Sequence, residues 1–168
     1  KKNSIFGHCI HLEEAEIEML KDRKSSIAHC PTSNTFIGSG IFKMKELNSK
    51  NINIGLATDT GGGTSFSMLK TISEAYKISQ LNNFSIHPAQ LFWLATVGSS
   101  KSLGLENKIG NIKEGYFADL IVINLASTLE IEQRQKRAKN FWESLFPTLI
   151  MGDDRAIIKT WVFGNEMK

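Results

Sequence analysis

The alternation of apolar and polar positions over residues 51–59 predicts a β-strand. Ile52, Ile54 and Leu56 occupy every second position, and the stretch ends on Asp59. Since successive side chains of a strand point to opposite faces, this spacing puts the three apolar side chains on one face. Three glycines follow at positions 61–63, and glycine lets the backbone turn tightly after the carboxylate. We therefore expect a strand with an acidic residue at its carboxyl end.

Apolar positions at helical spacing follow that strand. Met68, Leu69, Ile72 and Ala75 would share one face of a helix over residues 68–81. Another helix is predicted to begin at Pro88, because the first helical position needs no N–H, and to run to residue 103. Weaker patterns predict helices over residues 12–24 and 40–48. Residues 30–34 are predicted to form a turn from their composition.

Two short apolar runs, residues 4–8 and 26–29, predict further strands, each ending on a histidine. Strands that alternate with helices imply a parallel sheet. His8, His29 and Asp59 then follow or end three successive parallel strands, and in a β/α barrel those ends meet at one mouth, where ligands bind. We take Asp59 as the chemical centre of the chain.

The second half of the chain has a different pattern. Residues 118–123 predict a buried strand, residues 130–145 a helix that ends before Pro147, and residues 157–163 a closing strand. We interpret residues 1–106 as part of a β/α barrel. Residues 107–168 are interpreted as a smaller segment with strands of a β-domain and a helix.

Composition narrows the class of protein. Of 168 residues, 41% are hydrophobic, and the net charge of +3 is scattered, which argues against a concentrated basic face for nucleic acid. No apolar run is long enough to predict a membrane span. Two cysteines are too few for a disulfide scaffold and favour a reducing, cytoplasmic location. The chain begins at Lys1 without a methionine, and we expect it to be a piece of a longer protein.

Several sites could carry other chemistry. Taken alone, an aspartate before a glycine turn is more often a turn former or helix cap than a metal ligand. With Thr60 and Gly61, Asp59 also spells the aspartic-protease triplet, although a helix follows and no second triplet occurs. The glycines at 61–63 could bind phosphate but lack the Gly-Lys-Ser/Thr of a P-loop. A zinc site from both His-Cys pairs, residues 8–9 and 29–30, is rejected because adjacent strand residues point apart.

The remaining histidines and acids are interpreted as structural. His29 is expected to fix the turn at residues 31–34, and His11 and His87 are expected at helix starts. Asp153 and Asp154 are expected to lie in a solvated loop.

An ordered set of motifs resembles the carboxyl-terminal part of guanine deaminases, members of the amidohydrolase superfamily. The superfamily motifs are Leu94-Ala95-Thr96, Ser102-Leu103-Gly104-Leu105, Ile109-Gly110, Gly115 and Ala118-Asp119-Leu120-Ile121-Val122. The motifs similar to guanine deaminases are His8-Cys9-Ile10-His11-Leu12, Ile27-Ala28-His29-Cys30-Pro31-Thr32-Ser33-Asn34, Gly38-Ser39-Gly40, Thr58-Asp59, Ser67-Met68-Leu69 and Gly152-Asp153-Asp154-Arg155. Ala57 departs from the glycine usual there.

The resemblance implies the fold and the chemistry. The fold would be α/β, namely the later strands and helices of a TIM-type (β/α)8 barrel with part of a small β-domain. The reaction would be zinc-dependent hydrolysis of guanine to xanthine and ammonia, in purine catabolism, by a cytoplasmic homodimer. Asp59 matches the residue that binds the metal and substrate and takes the proton of water. His8 matches the catalytic histidine that holds that water and the developing oxyanion.

The remaining zinc ligands and a proton-shuttling glutamate would lie upstream of this chain. We therefore expect the chain alone to be inactive, unable to hold zinc, and unstable or sticky. The alternatives are an amidohydrolase that acts on another aminated heterocycle, such as a nucleoside or triazine, or an inactive barrel fragment.

Overall fold

The structure is a computed structural model that describes residues 3–167, and within that range the strands form two separate three-stranded sheets. The first sheet is parallel, with strands β1, β2 and β3 side by side in chain order. Its strands and the helices between them are β1 (Ile5–Gly7), α1 (Glu14–Asp22), β2 (Ser26–His29), α2 (Pro31–Phe36), α3 (Met44–Ser49) and β3 (Asn53–Leu56). These βαβ connections place all three carboxyl ends on one side of the sheet.

A helical layer follows β3. It consists of α4 (Met68–Leu81), α5 (Pro88–Trp93), a π-helical turn (Leu94–Gly98) and α6 (Ser99–Ser102). The predicted bounds of the helix over residues 68–81 are confirmed, and Ser67 caps it by accepting a hydrogen bond from the Lys70 N–H. Pro88 is the first residue of α5, as predicted.

The second sheet is antiparallel and contains β4, β5 and β6 in that order. Its strands and the elements between them are β4 (Leu120–Ile123), α7 (Leu129–Gln135), α8 (Phe141–Met151), a 3₁₀ turn (Asp154–Ala156), β5 (Ile157–Val162) and β6 (Asn165–Met167). The two sheets lie on either side of residue 106, and the boundary between 106 and 107 stays a prediction.

The core lies between the parallel sheet and its helices. Ile27 and Ile54 are 0% and 3% exposed in adjacent strands. Close packing requires glycine at one point: a Cβ on Gly55 would lie 2.8 Å from Cα of Ser99 in α6. Helix α8 is tied to α4, since the Ser73 hydroxyl donates to the Ile150 carbonyl at 2.8 Å. This packing holds β3 firmly beneath the loop that carries Asp59.

The outer strand β1 is less covered. Ile5 and Phe6 are 44% and 46% exposed, and within residues 3–167 β1 pairs only with β2. An unpaired strand edge with apolar side chains favours association with another chain or segment. None of the helices in the described part of the chain combines the length and apolar composition of a membrane span.

Three local predictions are wrong. Residues 31–34 form the start of α2, with Cys30 as its N-cap, rather than a turn, because Pro31 is pre-set for the first helical position. The helix predicted over residues 130–145 is two helices, since the Asn140 side chain accepts the Glu143 N–H at 3.0 Å and starts α8. Helix α8 continues through the buried Pro147. The lost hydrogen bond there is offset by burial of Leu145 and Leu149.

The strand predicted as buried over residues 118–123 is also half exposed. Ile121 and Val122 of β4 are 51% and 42% exposed. Within residues 3–167, β4 pairs only with β5. A run of β-branched residues therefore indicates the strand but does not settle how much of it is covered.

Candidate functional site

The carboxyl ends of the three parallel strands carry the candidate site. His8 directly follows β1, Cys30 follows β2, and Asp59 lies three residues beyond β3. Backbone hydrogen bonds continue the register past the strand ends, from His8 N–H to the Ala28 carbonyl at 3.0 Å and from Ala57 N–H to the His29 carbonyl at 2.9 Å. The sheet therefore delivers these residues to one rim.

The two residues predicted to be catalytic, His8 and Asp59, lie side by side. His8 Nε2 is 3.7 Å from Asp59 Oδ2, and their side chains are 44% and 37% exposed. The thiol of Cys30 joins them, since one donor atom from each of the three residues lies within 4.8 Å of the others. The structure thus brings the sequence-predicted pair together. It also adds Cys30, which the sequence analysis does not identify as a site residue.

The backbone at this rim is strained. His8, Cys9 and Asp59 have φ of 65°, 53° and 48°, in the left-handed region. Residues other than glycine cost about 1–3 kcal/mol each in such conformations, which persist mostly at ligand sites. The turn after Asp59 requires glycine at position 63, because a Cβ there would clash with the Thr58 carbonyl oxygen.

Helix α2 contributes a layer beneath the rim. Asn34 is 2% exposed, and its Oδ1 lies 2.8 Å from His8 Nδ1. Ser33 is fully buried. A Cβ built on Gly62 would lie 3.0 Å from both Ser33 Oγ and Asp59 Oδ2, so glycine at 62 leaves room for the carboxylate. The motif Pro31-Thr32-Ser33-Asn34 contributes to the family resemblance, but the sequence alone does not predict that Asn34 contacts His8.

His29 is a core residue. It is 1% exposed, and its ring stacks on Phe42 with centroids 4.0 Å apart. Burial lowers the pKa of His29 to about 3, so the ring is neutral at neutral pH. The sequence predicts a structural role for His29, and its ring packs on Phe42. The expected role in fixing residues 31–34 stays a prediction. His29 lies outside the donor group of His8, Cys30 and Asp59, which agrees with our rejection of the four-residue zinc site.

The other histidines and the acidic pair have structural partners. His11 Nε2 donates to the Ser39 carbonyl at 2.8 Å, and His87 Nδ1 accepts the Ala89 N–H at 3.1 Å to cap α5. Asp153 accepts the Arg155 N–H at 3.1 Å and pairs with its guanidinium. His87 is at a helix start, as predicted. His11 instead lies before α1, whose N-cap is Glu13, and Asp153 caps the 3₁₀ turn that Asp154 begins rather than lying in a loop.

Both thiols are protonated at neutral pH in the absence of a metal. Burial raises the pKa of Cys9 to about 11. Burial also raises the pKa of Cys30, against a backbone hydrogen bond from His8 that lowers it. A bound cation reverses this preference, because thiols that coordinate a metal are deprotonated.

The donor set suits a metal ion of the zinc type. Zinc takes nitrogen, sulfur and carboxylate oxygen at about 2.0–2.3 Å in a tetrahedral arrangement. The imidazole, thiol and carboxylate of His8, Cys30 and Asp59 supply one atom of each kind within 4.8 Å of one another. Asp59 is the sequence-predicted ligand of the three.

Comparisons with known proteins show the family of the chain. The model of the amidohydrolase family matches residues 1–167. Guanine deaminase of Escherichia coli is 44% identical over 164 residues, which are 98% of this chain and 37% of that protein. The chain therefore spans little more than a third of the length of this relative.

Solved structures give the same result. The E. coli guanine deaminase structure matches with a TM-score of 0.95 and 43% identity over 98% of this chain and 38% of that one. A guanine deaminase from C. acetobutylicum with bound guanine matches with a TM-score of 0.84 and 32% identity, covering 98% and 39%. An adenosine deaminase from Xanthomonas campestris with bound zinc matches with a TM-score of 0.81 and 25% identity, covering 96% and 36%. The predicted α/β fold, part of a TIM-type barrel, is confirmed.

Proposed function

The chain belongs to the amidohydrolase family, and from that premise we propose that it forms part of a zinc-dependent guanine deaminase. One observation carries the proposal: His8 and Asp59, from separate strands of the parallel sheet, approach to 3.7 Å at its carboxyl edge. A carboxylate and an imidazole at this edge are what a hydrolytic deaminase of this fold needs. The proposed reaction is guanine plus water to xanthine plus ammonia.

Support for guanine as the substrate comes from the relatives. Proteins named guanine deaminase match nearly the whole chain at 44% and 34% identity, and one matching structure holds guanine. The residues that would select the base are expected partly outside this chain, so the substrate is inferred from kinship rather than from contacts in residues 3–167.

Asp59 is the proposed metal ligand from this chain, with the remaining ligands supplied from outside it. When bound, a single zinc ion lowers the pKa of a water molecule to about 7 and so supplies a nucleophile at neutral pH. His8 and Cys30 place two further donor atoms beside Asp59. Of these three residues only Asp59 is proposed to bind the metal, and one ligand is fewer than the three typical of catalytic zinc. We therefore expect tight retention of zinc only in the complete protein.

Asp59 and His8 of this chain would take part in the proton transfers, together with the glutamate expected upstream. The water oxygen forms a bond to the guanine carbon that bears the amino group, and the carbon–nitrogen bond breaks. The Asp59 carboxylate accepts the proton of the water, which then passes to the leaving amine, so that ammonia departs. His8, 3.7 Å away, is positioned to hold the same water and the oxyanion that develops on the substrate.

We also propose a homodimer that serves purine catabolism in the cytoplasm. The support is kinship with guanine deaminases and two free cysteines, Cys9 and Cys30, which are typical of a reducing compartment. The exposed edge strand β1 is then expected to be covered in the complete protein.

A second candidate is deamination of another aminated heterocycle. The match to a zinc-containing adenosine deaminase at 25% identity favours a nucleoside as the alternative substrate. An inactive barrel fragment is the remaining possibility.

The deciding experiment is metal analysis and turnover with the full-length protein that contains this chain. We expect about one zinc per subunit and xanthine formation from guanine, with little ammonia from adenosine. Ammonia from adenosine alone would favour the second candidate. Absence of metal together with absence of turnover on either compound would overturn the proposal, and inhibition by a peptide-like statine rather than a chelator would point to an aspartic protease.

A further inference from the structure

We propose that Asn34 is a positioning residue for His8. Asn34 holds the proton of the neutral imidazole on Nδ1, so that Nε2 presents a lone pair to the space beside Asp59. The effect on catalysis rests on the proposed function, whereas the position of the proton is a property of this chain's own residues.

The hydrogen bond between the two side chains fixes the proton. Asn34 Oδ1 lies 2.8 Å from His8 Nδ1. An amide oxygen can only accept, so Nδ1 is the donor. A neutral imidazole carries one N–H, and with that hydrogen on Nδ1 the other nitrogen is an acceptor. His8 Nε2 therefore faces Asp59 Oδ2 at 3.7 Å with two lone-pair atoms opposed, a gap suited to a hydrogen-bond donor or a cation.

Asn34 is itself held firmly. Its backbone N–H donates to the Cys30 carbonyl at 3.0 Å within α2, and its carbonyl accepts the Ser39 N–H at 2.9 Å. Its side chain is almost fully buried, at 2% exposure. The backbone of Asn34 is fixed by these two hydrogen bonds, and its side chain is buried. The side-chain amide can therefore orient the half-exposed ring of His8.

The bond to His8 is the hydrogen bond that the Asn34 side chain makes within the described residues. Asn34 Nδ2 is buried and has no hydrogen-bond partner within the described residues. A buried donor without a partner costs about 1–3 kcal/mol. The bond to His8 is thus the interaction that accounts for a polar residue at this position.

This arrangement orients the attacking water. One hydrogen of the water would go to Asp59 and the other would point to His8 Nε2, which leaves an oxygen lone pair directed at the substrate carbon. Orientation of this kind is a large part of catalytic advantage. If Nε2 takes up that second hydrogen of the water as the carbon–oxygen bond forms, it becomes an N–H that can donate to the developing oxyanion.

The first test is 15N NMR of the full-length protein with 15N-labelled histidine rings, at a pH where the His8 ring is neutral. The His8→Gln spectrum assigns the signal. We expect Nδ1 of His8 to show the protonated, pyrrole-type shift and Nε2 the unprotonated, pyridine-type shift. A neutral ring with its proton on Nε2 would overturn the proposal, whether or not the protein deaminates guanine.

Variants at position 34 form the second test. Asn34→Leu removes the acceptor at similar volume, so the His8 proton should redistribute toward Nε2, and kcat should fall by about 10–100-fold with a smaller change in KM. Asn34→Asp keeps an acceptor oxygen, so it should keep the proton on Nδ1 and recover part of kcat. Thr35→Val is the matched control, because Thr35 Oγ1 bonds only within α2, to the Pro31 and Thr32 carbonyls.

The outcomes separate cleanly. An Asn34→Leu protein with wild-type kcat, or with the proton still on Nδ1, contradicts the positioning role. If Asn34→Leu does not fold, the wild-type and Asn34→Asp spectra still decide. A correct tautomer in a protein that forms no xanthine would leave the inference intact and count against the proposed function alone.

Discussion

The two sheets of this chain differ in what their strand ends bring together. In the parallel sheet, His8 and Asp59 follow different strands and lie 3.7 Å apart. In the antiparallel sheet, Asp119 precedes β4 and accepts the Phe163 N–H at 2.8 Å, while Lys159 and Glu166 form an exposed pair across β5 and β6. Polar residues occur in both sheets, but only the parallel one gathers the donor group of His8, Cys30 and Asp59.

The reason is topological. Parallel strands end on the same side, so residues far apart in sequence meet at one edge. Antiparallel strands alternate in direction, so the residues that follow successive strands lie at opposite ends of the sheet. Residue type therefore indicates a site only in combination with the direction of the strands.

Backbone conformation supports the same distinction. His8 and Asp59 have positive φ in loops without a tight hairpin. Phe163 also has a positive φ, 51°, but there Gly164 follows and the pair forms the turn between β5 and β6, where such angles are required. The positive φ angles of His8 and Asp59 are therefore consistent with the proposed site, whereas the positive φ of Phe163 is explained by the hairpin turn.

The largest expected effect is at Asp59. In the full-length protein, Asp59→Ala removes the proposed metal ligand and proton acceptor, so zinc content should drop and kcat should fall by about 10²–10⁴-fold or more. Metal analysis and xanthine formation measure the two effects. Normal turnover in this variant would refute the role of Asp59 and remove the contrast between the sheets.

The next effect is at His8. His8→Gln keeps a polar side chain but loses the ring, and we expect kcat to fall by about 10²-fold, with zinc content less affected than in Asp59→Ala. His87→Gln is the matched control, because His87 caps α5 away from this edge. Equal losses in both variants would mean that His8 acts through folding.

A third effect concerns the layer below the edge and acts on stability. The folded pKa of His29, about 3, lies below its ordinary value of 6.5. Between these values His29 binds more protons in the unfolded chain than in the folded one. The stability contributed by the neutral, buried His29 is therefore complete above pH 6.5 and is lost as the pH falls. The free energy of unfolding should decrease by about 1.4 kcal/mol per pH unit in this window.

Denaturant titrations of the full-length protein and of its His29→Leu variant, at pH 7 and pH 5, measure this pH dependence of the free energy of unfolding. The wild type should lose about 2 kcal/mol more than the variant over that interval. Equal losses would show that His29 is solvated or paired rather than buried and neutral.

The smallest effect is expected in the antiparallel sheet. Asp119→Ala removes one hydrogen bond to Phe163 and should cost about 1 kcal/mol of stability, with kcat unchanged. Thermal unfolding measures the change in stability, and xanthine formation measures kcat. A fall in kcat comparable to that of Asp59→Ala would erase the difference between the sheets.

Sequence patterns predicted the regular elements well where the signal is local. The helix over residues 68–81 and the proline at the start of α5 are as expected, because spacing and capping act within one or two turns. Patterns failed at the break between α7 and α8, where the Asn140 cap outweighed a continuous helical propensity, and at β4, whose exposure depends on what covers it.

The sequence by itself determined that Asp59 follows a strand and precedes glycines and a helix, since that follows from periodicity among near neighbours. Only the tertiary structure decided that His8 faces Asp59 while His29 enters the core, and that Asn34, 26 residues from His8, reaches its ring. Those contacts depend on strand register and helix placement, which are set by the packing of the whole sheet and not by any local stretch.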